Sequence, residues 1–121
     1  MLYIEADLNL AEAGLKGKRA NKWTYLLIIW HCQQAVEKSL KMYSIENGKE
    51  LLLTHDLPRL LRYSDLKDEK NYSKFIIELN RYYAKPRYPD APLRANYPAV
   101  SLQIAKDFYS KAKGFCLWIK K

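Results

Sequence analysis

Two histidines and a short series of amide and ammonium side chains are the residues best suited to chemistry. His31, Gln34, Lys38 and Lys41 follow one another at steps of three, four and three. At 3.6 residues per turn, those steps stack the four side chains along one side of a helix. The ridge offers an imidazole, an amide that both donates and accepts, and two cations. It suits a phosphate or a base edge. It also suits a solvated helix flank, or an interhelical network in which Glu37 and Lys38 satisfy polar groups of neighbouring helices.

A second group lies further along. His55 and Asp56 sit where a short helix should begin, as site residues or as a capping pair. Arg87 and Tyr88 follow in a proline-rich stretch. A guanidinium matches phosphate bidentately, and Arg87 is the leading anion-binding candidate. The alternative for it is pairing with Asp90 or a helix C-terminus. Tyr88 either stacks on a base or packs under the loop. Two scattered histidines without a close carboxylate cluster make no coordination sphere, so neither metal nor cofactor is expected.

The ridge needs a long helix, and the run Asn21–Gly48 supplies one. Tyr25, Ile29, Cys32, Val36, Leu40 and Tyr43 recur on its apolar side. Asn21 is the candidate N-cap, and Asn47-Gly48 a stop. Before it, Met1–Lys16 repeats apolar residues at Met1, Ile4, Leu8, Ala11 and Leu15, a first helix ending in basic residues. Trp23 and Trp30 read as packing residues ahead of base-stacking platforms.

After Gly48, Leu51-Leu52-Leu53 reads as a packed loop, because no partner strand exists. A short third helix carries Leu57, Leu60 and Leu61 and ends near Ser64, with Thr54 or His55 at its cap and Pro58 early. The spacing of Tyr72, Phe75, Ile76, Leu79, Tyr82 and Tyr83 predicts a long fourth helix over Asp68–Ala84. Lys85–Pro98 holds four of the five prolines and reads as a stiff loop, with Pro98 opening the last helix. That helix, Ala99–Lys120, places Leu102, Ala105, Phe108, Ala112, Phe115 and Ile119 inside. The expected fold is all-α: an up-and-down four-helix bundle with one short additional helix, in a single domain spanning 1–121.

Composition agrees with that reading. The chain has 121 residues, only four Gly and five Pro, too few for a many-turned β fold. Its longest apolar run, Tyr25–Trp30, is far too short to span a bilayer, and no membrane role is expected. Glu5 and Asp7 already follow a helical pattern, so no signal peptide is expected. Cys32 and Cys116 fall on apolar faces and read as buried reduced thiols, which points to the cytosol. The net charge of +8 serves solubility or an anionic partner. Exposed Tyr and Trp on a small bundle favour a homodimer.

Three blocks together resemble a known family. His31-Cys-Gln-Gln-Ala-Val-Glu-Lys-Ser-Leu-Lys41, then Thr54-His55-Asp56-Leu57 before Leu60-Leu61, then Arg87-Tyr88-Pro89-Asp90 look like the HEPN domain (higher eukaryotes and prokaryotes nucleotide-binding). The resemblance covers essentially the whole chain. It implies a four-helix bundle with an extra short helix, often a two-fold dimer. It also implies a minimal nucleotidyltransferase as partner, the two acting as a toxin–antitoxin-like pair. Some members of that family cut RNA without a metal, through an Arg followed at four to six residues by a His. That motif is absent here. The nearest Arg before either histidine is Arg19, twelve residues ahead of His31.

Three functions follow as expectations. The first is a non-catalytic module binding a nucleotide, RNA or a nucleotidyltransferase through the His31–Lys41 ridge and the Arg87–Asp90 loop. The second is a metal-independent ribonuclease toxin, needing Arg87 to meet His31 or His55 in space. The third is a structural dimerisation domain whose ridge is merely solvated.

Overall fold

The computed structural model describes residues 2–17, 22–68, 70–82 and 100–120. Five helices succeed one another: α1 (Leu2–Leu15), α2 (Lys22–Glu46), α3 (Leu57–Ser64), α4 (Ser73–Asn80) and α5 (Leu102–Ile119). They form the expected helical bundle, with no strand among the described residues.

The long helix α2 is its axis, and it alone touches every other helix. Ile29, Cys32, Val36 and Leu40, the centre of the predicted apolar stripe, are fully buried. So are Leu26, Ile28 and Ala35 beside them, because α1 and α5 pack along different sides of the same rod. Tyr25 and Met42 pack at the edge of this core. From α5, Ala105 and Ala112 bury completely, and Phe108, Phe115 and Cys116 bury with them. Leu102, expected inside, is 37% exposed at the helix start, whereas Ile119 packs against the core as expected. Small side chains let the rods approach closely. At Gly14 of α1 a Cβ would meet Ile28 Cγ1 at 2.7 Å, so only glycine fits this crossing without displacement.

Helix ends follow local chemistry. Asn47-Gly48 closes α2, with Gly48 at φ 84° in the left-handed region that glycine adopts freely. Asp56 caps α3: its backbone is extended and its Oδ1 accepts from the Arg59 N–H at 3.2 Å. Neither Thr54 nor His55 is the cap, although Thr54 Oγ1 accepts from the Asp56 N–H. Pro58 falls within the first turn, where its missing N–H costs nothing. Ser101 caps α5, accepting from the Ile104 N–H at 3.1 Å.

Two further expectations are corrected. The fourth helix is short, Ser73–Asn80, not Asp68–Ala84. Asp68 accepts from the N–H groups of Tyr72 and Ser73 across a turn in which Asn71 is left-handed, φ 60°, and this delays the helix by five residues. At its other end the Arg81 N–H turns back to Glu78 and Leu79. Second, of Leu51-Leu52-Leu53 only Leu52 packs on the core; Leu53 is 85% exposed. An extended loop alternates its side chains, and the core receives one of the three.

The last helix begins at Leu102 rather than Ala99. Asn21, Tyr83 and the Lys85–Pro98 loop, with Pro98, lie outside the described residues.

Candidate functional site

The ridge on α2 is real, and it is divided between two buried carboxylates. On the α1 side, Asp7 reaches across the helix pair. Its Oδ1 lies 3.0 Å from His31 Nδ1, and its Oδ2 accepts from Lys38 Nζ at 2.6 Å. His31 and Lys38 are seven residues apart, two helical turns, so one carboxylate bridges both. On the α3 side, Glu37 accepts from Lys41 Nζ at 2.9 Å, one turn along its own helix. The same carboxylate meets His55 Nδ1, at 2.9 Å for Oε1 and 3.1 Å for Oε2. His55 stands just ahead of the α3 cap, so the Asp56 cap and the Glu37 contact fix the loop together.

Exposure is uneven within these pairs. The carboxylate side chains of Asp7 and Glu37 are 9% and 7% exposed, while Lys38 and His55 are 37% and 44% exposed. The seam therefore hides its negative groups and turns Lys38 and His55 outward. Burial pushes the Asp7 carboxyl up, but the hydrogen bonds from His31 and Lys38 outweigh it and hold the group below its ordinary value. Asp7 thus stays ionised although buried.

Gln34 lies half-buried on the ridge between these two pairings. Its neighbour Gln33 instead faces inward, donating from Nε2 to the Leu79 carbonyl at 2.7 Å and tying α2 to α4. Gln33 Oε1 and Ser44 Oγ find no hydrogen-bond partner among the described residues. Beside His55, a recess of about 390 Å³ is lined by Thr54, His55, Asp56 and Asn80. Asn80 closes its back, accepting from the Leu57 N–H at 3.1 Å.

Of the residues singled out in the sequence, His31, Gln34, Lys38, Lys41 and His55 share this seam, and Asp56 adjoins it as a helix cap. Arg87 and Tyr88 lie outside the described residues. The interhelical network foreseen for Glu37 and Lys38 is present. What sequence reasoning missed is Asp7. Its signal was available: Asp7 falls three residues after Ile4 and four before Ala11, in register with the buried stripe. A carboxylate in that register demands partners on the facing helix.

Trp30 stands edge-on to the His31 ring, centroids 5.1 Å apart, in a packing role. The two cysteines are buried and unbridged. Cys116 Sγ accepts from Ser39 Oγ at 3.2 Å, and its thiol is pushed up to about 11, chiefly by burial. No group of three His, Cys, Asp or Glu side chains able to hold a metal occurs among the described residues.

The model of the HEPN domain matches residues 5–121. The chain belongs to the HEPN family. No curated protein and no solved structure matches it. As a HEPN domain it is a nucleotide-binding or ribonuclease-like module in the general sense. No helix among its described residues is long and apolar enough to cross a membrane.

Proposed function

We propose that this HEPN domain is a non-catalytic binding module that takes an anionic nucleotide group on its α2 seam and works with a minimal nucleotidyltransferase. In that role it is one half of a toxin–antitoxin-like pair, acting as a homodimer in the cytosol. One observation carries the reading: the buried carboxylates Asp7 and Glu37 orient Lys38, Lys41, His31 and His55, and the more exposed members of the set are the cation Lys38 and the imidazole His55. A phosphate approaching this seam meets pre-oriented donors before it meets negative charge. The absence of an Arg-x(4–6)-His spacing supports binding over cleavage.

The test is calorimetry with nucleoside mono- and triphosphates, together with copurification of a co-encoded nucleotidyltransferase. Lys38→Ala and Lys41→Ala should each weaken binding by about tenfold, the loss of a charge-assisted hydrogen bond. No heat with any nucleotide and no copurifying partner overturns the proposal.

A second reading has its own support. Holding His55 Nδ1 against Glu37 orients the ring, and an oriented imidazole paired with a carboxylate is what general-base chemistry requires. A metal-independent ribonuclease would use that pair. RNA cleavage in chelator that is lost in His55→Ala decides for it; intact RNA decides against it.

A further inference from the structure

A cleft separate from the seam opens between α4 and α5. It encloses about 610 Å³ and shares no residue with the Asp7 and Glu37 networks. Its floor is aromatic, built around Phe75, Tyr82 and Phe108. These rings lean on one another, Phe75 to Phe108 at 6.0 Å and Tyr82 to Phe108 at 5.4 Å between centroids. The rim is charged on both lips. Lys70 and Lys74 stand on the α4 side, and Lys111 on the α5 side. None of these three lysines makes an ion pair among the described residues, whereas Arg81 is neutralised by Glu78 at 3.1 Å.

We infer that this cleft docks an acidic protein segment, with apolar side chains entering between the helices and carboxylates meeting Lys70, Lys74 and Lys111. Charge complementarity selects the class of occupant. Lys70, Lys74 and Lys111 make no ion pair among the described residues, and an apolar floor ringed by charge is the anatomy of a protein interface with a buried anchor. The cleft volume is within the range of pockets that accept such a group. Nucleic acid fits less well, because Asp107 on the α5 lip would repel a continuous phosphate chain, whereas a peptide can set a cationic or neutral residue there. The inference goes beyond the function proposed for the seam and does not depend on it.

The probe is a fluorescein-labelled peptide alternating Glu with Phe and Leu, followed by anisotropy against the full chain. An oligouridylate serves as the competing polyanion. The intact protein should bind the peptide. Lys74→Glu combined with Lys111→Glu should weaken it at least about tenfold, and Asp107→Lys should tighten it several-fold. Ile104→Trp, which fills the cleft, should weaken binding without altering its salt dependence. All of these sites except Ile104 are exposed, and circular dichroism is the check that each variant folds. Lys38→Ala, a seam variant, should leave peptide affinity unchanged, which separates failure of this site from failure of the seam. The inference is overturned if the peptide does not bind, if both lysine reversals leave it unaffected, or if oligouridylate displaces it and is itself lost on the reversals.

Discussion

Asp7 on α1 and His31 on α2 are separated by 24 positions in the chain, yet Asp7 Oδ1 and His31 Nδ1 lie 3.0 Å apart. The same carboxylate holds Lys38, so α1 is fastened to α2 at two points one carboxylate wide. Asp7→Ala should destabilise the fold by about 1.5–3 kcal/mol, the range for hydrogen bonds to a charged group. Urea unfolding followed by circular dichroism reads the difference. Lys38→Ala alone should cost less, because its side chain is partly solvated and His31 remains.

The same contact sets an acid limb. The Asp7 carboxyl in the folded state lies below its ordinary value of 3.8, so folding favours its ionised form. Its contribution is complete above the unfolded value and disappears as pH falls through the lower folded one. Urea midpoints should therefore decline as pH drops below about 4, and less steeply in Asp7→Asn. Parallel acid limbs in the two proteins would show that Asp7 is not responsible.

Glu37 holds the α3 entry against α2. Glu37→Gln keeps the shape and removes the charge shared by Lys41 and His55. A loss of about 1–3 kcal/mol is expected, with Glu37→Ala at or above the upper end. Amide exchange around Thr54–Leu57 should quicken in both variants, while α5 amides stay as protected as before, relative to global stability.

Gly14→Ala should destabilise, although alanine is the better helix former by about 1 kcal/mol. The new methyl would sit 2.7 Å from Ile28 Cγ1 and 3.1 Å from its Cδ1, and Ile28 is 1% exposed with nowhere to retreat. A net loss of about 1–2 kcal/mol follows if overpacking dominates. An unchanged or raised melting temperature would mean that α1 shifts to make room.

Both thiols should resist a disulfide reagent such as dithiobis-nitrobenzoate at neutral pH. Burial raises both, and Cys116 reaches about 11, so little thiolate exists at pH 7 and access is closed. Full reaction in urea and slow reaction in buffer is the expected pattern, with the slow rate limited by opening of the fold.

The bundle was legible because helical periodicity repeats. Ile29, Cys32, Val36 and Leu40 share one stripe, and each is buried. The α3 start was legible as a His55-Asp56 capping pair, but Thr54 and His55 competed for the cap itself because all three residues carry capping or turn chemistry, and only the Asp56 backbone is placed for it. The fourth helix was read too long for a different reason. Aromatic spacing continues through Tyr72, but Asp68 captures the backbone N–H groups there and Asn71 turns left-handed. Periodicity sees side chains and is blind to that competition. Within the seam, spacing identified the ridge but not its division. Which flank meets α1 and which meets α3 depends on how two helices lie across a third; register with Ile4 and Ala11 marks Asp7 as buried, but its partners His31 and Lys38 are set by that crossing.

Gly14 lies seven residues beyond Asp7, two turns along the same helix, and so on nearly the same face. The missing side chain at Gly14 therefore acts as a gauge for the spacing of the two rods, and the carboxylate is cut to that gauge. Widening the gap by a methyl group would stretch the reach of Asp7 to His31 and Lys38. Size at one inert position thus governs how firmly distant ionisable groups are aimed.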